Sequence, residues 1–322
     1  MFWVLGTAPC QSPPCTSLVR TTDGGQHFVG LPAPQAPLAG ATQPGSQEPS
    51  DAVSGLRFAD PLDGWAFGPA LYATHDGGGT WHRLSVPGQI IDLAAAAGQV
   101  WALGGDCQVG QGCSSFWLER SPVSRDDFTP VSLPVPMTGP APTPALAVQG
   151  PSVYLLDNSV STGQQYHSTL LVSTDGGEHF ARYQSPCTVD LGGRLSLTPA
   201  NLWSVCPTGM MSGLWRSLDD GASFVKVQTP VLTPNSATVA AAGPSGAVLG
   251  FVEPSLYVTS DGGQTWVQGR VPANLTSSGG AVLYLGMSDA SVGFALLSGP
   301  TSQTETLLRT ADGGREWVGV SF

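Results

Sequence analysis

Apolar residues in this chain come in short runs, and a polar turn of nearly fixed composition separates many of them. The clearest block lies between Gly55 and Leu84. Leu56-Arg57-Phe58, Gly64-Trp65-Ala66-Phe67-Gly68, Leu71-Tyr72-Ala73-Thr74 and Trp81-His82-Arg83-Leu84 each have the length and the aromatic or aliphatic content of a strand. Between the third and fourth runs lies Thr74-His75-Asp76-Gly77-Gly78-Gly79-Thr80-Trp81. Here Asp76 can fold its carboxylate onto backbone N–H groups of its own turn, and Gly77 and Gly78 permit the positive φ of a tight reversal. No stretch carries a helical period. The pattern therefore predicts an all-β chain built from four-strand units.

The turn recurs at Thr21 to Phe28, Ser173 to Phe180, Ser217 to Phe224, Thr259 to Trp266 and Thr310 to Trp317, always as Ser/Thr-x-Asp-x-Gly-x-x-aromatic. Its aspartates, Asp23, Asp76, Asp175, Asp219, Asp261 and Asp312, are separated by 53, 99, 44, 42 and 51 residues. The second interval is about double the others, so a unit is hidden there. Leu118 to Phe128 fits as a decayed copy, with Ser121 in the Ser/Thr place and Phe128 as the aromatic. The second strand recurs at Phe2 to Gly6, Val100 to Gly104, Val153 to Leu156, Leu202 to Val205 and Gly293 to Leu296, with Gly250-Phe251-Val252 a weaker instance. Seven units of four strands predict a seven-bladed β-propeller, expected as one domain over residues 1–322. Met1 to Leu5 reads as a second strand, so blade one is expected to lack its innermost strand, through truncation or through closure without the usual strand exchange.

Composition narrows the class. A chain of 322 residues exceeds one ordinary core, but a repeat array builds a small core between each pair of neighbours. The 42 Gly and 28 Pro, with 11% charged residues, suit many short strands and turns. A net charge of -11 with one lysine, Lys226, argues against nucleic acid and against anionic membrane surfaces. No run has the length of a transmembrane helix, and Met1 to Gly6 lacks the basic flank of a signal peptide, so an export signal is expected to lie outside this sequence.

Six cysteines remain. Cys10 and Cys15 close one short loop, Cys107 and Cys113 another, and Cys187 with Cys206 would staple a longer segment. Three disulfides imply an oxidising compartment. A metal cluster and unpaired buried thiols are the competing readings; neither spacing resembles a zinc ribbon.

The repeated turns resemble the Asp-box, or bacterial neuraminidase repeat, and the block from Gly64 through Thr74 to Trp81 resembles repeats of the photosystem II assembly-factor family. The resemblance covers nearly the whole chain. It implies a sialidase-type propeller whose box joins the third and fourth strands of each blade, distant from any active site. It implies no particular activity, because the same box occurs in sialidases, xyloglucan hydrolases, sortilin-type receptors and non-catalytic secreted propellers. The box aspartates are accordingly structural, and His27 and His179, in the place held elsewhere by Thr or Ser, are turn residues before they are bases. All nine tryptophans fall to blade packing: Trp3, Trp65, Trp101 and Trp203 in second strands, Trp117 and Trp215 in third strands, Trp81, Trp266 and Trp317 in boxes.

If the boxes occupy one face, strand-two-to-three turns and blade crossings occupy the other, here called the top. All three cysteine pairs reach the top, as do the long loops Gly30 to Val53, Thr129 to Ala147 and Asp157 to Ser168. Top-face acids are Asp92, Asp106, Asp157, Asp190 and Glu253, read as solvated loop charges; two of them 5–10 Å apart could do glycosidase chemistry. A sialidase would need three arginines clamping a carboxylate and a Tyr/Glu nucleophile pair. Arg20, Arg120, Arg216 and Arg309 instead immediately precede their boxes, and the best catalytic candidates, Asp157, Glu253 and Tyr284, are weak. The expectation is thus a non-catalytic, extracytoplasmic, monomeric binding or scaffold module, needing no metal or cofactor. Its contact residues are expected to be Asp157, Tyr166, His167, Arg194 and Arg270, and its partner a protein or glycan. A glycoside hydrolase and an assembly factor are the alternatives.

Overall fold

Sequence-adjacent strands pair antiparallel into seven up-and-down sheets arranged as blades. The computed structural model describes residues 1–12, 14–39, 49–108, 112–138, 144–158, 167–188, 191–231, 237–251, 255–276, 281–299 and 305–321. Blade two holds Gly55–Phe58, Gly64–Phe67, Leu71–Thr74 and His82–Leu84. Blade three holds Gln89–Ala96, Gln99–Gln108, Gly112–Pro122 and Thr129–Pro130, with Met137–Thr138 added beside its third strand. Blade four is Ala145–Gln149, Ser152–Asp157, His167–Ser173 and Ala181–Thr188; blade five is Arg194–Thr198, Asn201–Pro207, Ser212–Ser217 and Val225–Val227. Blade six is Thr238–Ala242, Gly246–Gly250, Leu256–Thr259 and Val267–Gln268, and blade seven Val282–Met287, Gly293–Ser298, Glu305–Thr310 and Val318–Val320. Among the described residues blade one has three strands, Phe2–Thr7, Thr16–Thr21 and Val29–Leu31, matching the second to fourth strands of the others. The chain is a seven-bladed all-β propeller, and Ala273–Thr276 is the one helix among the described residues.

Middle strands such as Gly64–Phe67 and Gly246–Gly250 are buried at every position. A blade has a neighbour against each face, so both alternating sets of side chains leave water, and the strand reads as a continuous apolar run. That effect explains one misplaced strand. The second strand of blade six ends at Gly250 instead of starting there, because Gly-Ala-Val-Leu-Gly carries no aromatic marker. The expected loop from Thr129 to Ala147 is also partly strand: Met137 is buried, and Val131, Leu133 and Val135 pack on the same core cluster.

The repeated turn is held as its composition requires. Thr74 Oγ1 donates to Asp76 Oδ1 at 2.8 Å and accepts from Gly78 N at 3.0 Å, while Asp76 Oδ1 accepts from Thr80 N at 2.8 Å. Gly77 and Gly78 have φ of 75° and 97°, a region where a Cβ is strained. The decayed copy keeps the shape by other means. Ser121 Oγ accepts from Asp127 N at 3.0 Å and donates to Arg125 O at 2.8 Å. Asp126 is thereby left out of its own turn.

Four arginines join one blade to the next. Trp3 pairs in register with Arg20, Trp101 with Arg120, Trp203 with Arg216, and Phe294 with Arg309. Arg120 and Arg216 lie 5.8 Å and 5.5 Å over the rings of Trp101 and Trp203. Each arginine extends to a turn glycine of the following blade, at Gly77, Gly176, Gly262 and Gly24 respectively, and Arg120 donates to Gly176 O. The last of these, from blade seven to blade one, closes the ring together with the contact of Phe2 and Phe294, whose rings are 3.8 Å apart.

Candidate functional site

The first strands of blades two to seven stand side by side in order. Side chains on these strands satisfy the open edges of their neighbours: Arg57 Nε donates to Leu93 O at 3.1 Å, and Ser196 Oγ accepts from Ala241 N at 2.8 Å. Asp92, expected as a solvated loop acid, belongs to this wall. Burial pushes its pKa up, while Arg57 and the N–H groups of Leu93 and Leu146 pull it down. The bonds that tether it to the strands make it a structural acid.

At the end opposite the repeated turns, all three disulfides are formed. Cys10–Cys15 and Cys107–Cys113 close turns between second and third strands, and Cys187–Cys206 ties the last strand of blade four to the second of blade five. Closure of all six cysteines requires an oxidising environment. The Cys187–Cys206 sulfurs are fully buried and span 19 residues, whereas Cys10 is exposed. Loop entropy for that span gives about 3 kcal/mol, and less for the two short loops. Mild reductant on the folded protein is thus expected to open Cys10–Cys15 before Cys187–Cys206, followed by intact mass after alkylation. Equal rates for the two bridges would overturn this order.

The residues expected at a top-face site are distributed unevenly. Arg194 is exposed on the first strand of blade five, opposite Val205 and so one residue from the Cys187–Cys206 bridge. Asp157 is 4% exposed at the end of a strand, not in a solvated loop. Its neighbour Asn158 is buried and accepts from Ser168 Oγ at 2.7 Å. His167 opens the third strand of blade four, its backbone paired with Thr188. The side chain of His167, and all of Tyr166, Asp190 and Glu253, lie outside the described residues. Tyr284, the suggested partner of Glu253, is half exposed on the first strand of blade seven. Arg270 is elsewhere. Because the outer strand of blade six is only Val267–Gln268, the chain crosses at once against the turn of blade seven. There Arg270 N donates to Arg315 O at 2.7 Å, and its guanidinium pairs with Glu316.

One cavity escaped the sequence reading. It has a volume of about 250 Å³ beside blade two and is lined by Ser50, Pro69, Ala70, Arg83, Leu84 and Gly88. Its wall comes from three separated segments, so no motif announces it. The side chains with metal-ligand chemistry gather instead at the turn face of blades two and three.

No protein-family profile matches the chain, and neither does any curated protein. Solved structures do match in fold. YCF48 bound to D1 peptide has a TM-score of 0.59 at 17% identity, covering 96% of this chain and 89% of that one. YCF48 from Cyanidioschyzon merolae has a TM-score of 0.56 at 14% identity, covering 82% and 83%. A structure from a study of two prolyl endopeptidases has a TM-score of 0.55 at 12% identity, covering 84% of this chain and 43% of that one. These likenesses define the class as a seven-bladed propeller.

Proposed function

We propose that this chain is an extracytoplasmic binding or scaffold propeller that holds a protein partner on the face opposite its repeated turns and performs no chemistry of its own. The observation that carries this reading is the placement of all three disulfides at that end of the strands. Bracing loops that are already on a rigid scaffold lowers the entropy lost when they meet a partner, and a catalytic role would not by itself call for it. Arg194 and the Arg83 cavity supply cationic points on a chain of net charge -11, suited to anchoring a carboxylate or backbone carbonyls of an extended segment. That a YCF48 of similar fold has been solved with a peptide favours the peptide-binding, assembly-factor version of the reading over a glycan. The repeated turns serve as Asp-box fold markers, as the hydrogen bonds within them suggest. Asp157, Tyr166, His167 and Arg194 form the proposed contact region; Arg270 would act as a blade-to-blade tie.

Selection of extended peptides from a displayed library is expected to yield binders whose affinity falls at least about tenfold with Arg194→Glu or with residues 159–166 replaced by a Gly-Ser turn. Turnover of a fluorogenic sialoside or neutral β-glycoside that Asp157→Asn or Glu253→Gln abolishes would overturn the proposal in favour of a hydrolase.

A further inference from the structure

The side chains of His75, His82 and Asp126 converge on the turn face, where the third-to-fourth-strand turn of blade two meets the decayed turn of blade three. His82 Nε2 is 2.6 Å and His75 Nε2 3.2 Å from the same Asp126 Oδ2, and the three ligand atoms lie within 4.8 Å of one another. On the far side of the first imidazole, Asp63 Oδ1 is 2.5 Å from His75 Nδ1. An aspartate facing Nδ1 accepts a hydrogen bond from the N–H there, which fixes the proton on Nδ1 and leaves the Nε2 lone pair aimed at Asp126. Two acceptors then face each other, so a cation must sit between them, either a proton or a metal. Asp126 Oδ1 sharpens the point: it is buried and has no hydrogen-bond partner among the described residues. A carboxylate oxygen left that way is costly unless something cationic reaches it.

We infer that His75, His82 and Asp126 bind a divalent transition-metal ion of the zinc type between blades two and three, with Asp63 orienting His75. Two imidazoles and one carboxylate form a ligand set for zinc-like ions and a poor one for calcium or magnesium, which prefer all-oxygen shells. Tetrahedral zinc with bonds of about 2.0–2.2 Å needs ligand atoms about 3.4 Å apart, so the present cluster reaches that geometry when side-chain rotations change the separations by up to about 1.4 Å. The decayed turn makes the site. Ser121 holds that turn without help from the carboxylate of Asp126, so the carboxylate is free to face the neighbouring blade. In the six intact turns the aspartate two places after the Ser/Thr is consumed by its own backbone; in the decayed copy Val123 stands in that place, and Asp126 lies three residues further on. The fourth position is open to water or to a partner's side chain, on the face opposite the disulfides.

The rival account is a purely ionic tie in which a protonated His75 bridges Asp63 and Asp126. Isothermal titration of the metal-free, tag-free protein with zinc chloride separates the two, with the absorption spectrum of the cobalt(II) form as a second readout. Wild type is expected to bind one ion per chain and to show visible tetrahedral cobalt bands. His82→Ala, at a half-exposed position that should fold normally, is expected to weaken binding by more than about 100-fold, and Asp63→Asn by about 10–100-fold. His27→Ala, remote from the cluster, should match wild type. Zinc binding unchanged by His82→Ala and by Asp126→Asn, or absence of binding in wild type, would overturn the inference and leave the ionic tie.

Discussion

Trp203→Ala is expected to destabilise the propeller by about 3 kcal/mol, measured from the midpoint of urea unfolding. The indole is fully buried between blades five and six, in a cluster with Val205, Leu214, Val239, Leu249 and Phe251. Truncating a buried tryptophan costs about 3–5 kcal/mol in lost transfer energy and cavity. Two smaller effects oppose each other. The indole N–H is buried without a partner among the described residues, so removing it returns about 1 kcal/mol. The guanidinium of Arg216, 5.5 Å from the ring, loses its platform at a cost of about 0.5–1 kcal/mol. The cavity term dominates. Trp203→Phe should lose clearly less, and combining Trp203→Ala with Arg216→Ala should cost less than the two separate losses added. A loss below about 1 kcal/mol for Trp203→Ala would show that neighbouring blades collapse into the gap, and that the blade interfaces are softer than close packing implies.

The same tryptophan illustrates what was legible in the sequence. Aromatic residues at matching places in six short runs, with a glycine-rich turn at near-constant spacing, specify blades because each unit repeats one local solution. The hidden third blade was recoverable for that reason, although Ser121 kept only the outline of its turn. Partners across blades were not recoverable. Arg20, Arg120, Arg216 and Arg309 were visible as residues preceding turns, but their targets, Gly77, Gly176, Gly262 and Gly24, depend on how one blade is rotated against the next. The metal-ligand cluster was invisible for the same cause. His75 and Asp63 lie 12 residues apart and His82 and Asp126 lie 44 apart, and no local pattern links them. Asp92 was misread because polarity was taken as exposure, whereas a first strand with an open edge recruits a carboxylate from its neighbour.

Acid should unfold this protein steeply between about pH 4 and pH 2, and the repeated turns are the reason. Bonds from backbone and side-chain groups bring Asp76, led by Thr80, and Asp261, led by Thr265, from the ordinary value of 3.8 down to about 2. Asp23, Asp175 and Asp219 are lowered by equivalent bonds; at Asp312 burial works against the shift, and bonds from the Glu316 N–H, the Thr310 hydroxyl and the Arg315 N–H together outweigh it. Above the ordinary aspartate pKa these groups are ionised in both the folded and the unfolded chain, and the bonds contribute fully. Between that value and the lower folded values the unfolded chain takes up protons that the folded chain refuses, so stability falls as pH falls. Asp92 and Glu119, raised by burial, pull the other way, but they are two against six. Each turn aspartate remains open to solvent in part, so no single one contributes much; their common direction makes the slope. Urea midpoints taken across this window should drop with a slope that flattens stepwise in Asp261→Asn and then in Asp76→Asn/Asp261→Asn. A stability profile that is level down to pH 2 would mean that the unfolded chain keeps these turns intact, with their carboxylates still bonded to the same N–H groups.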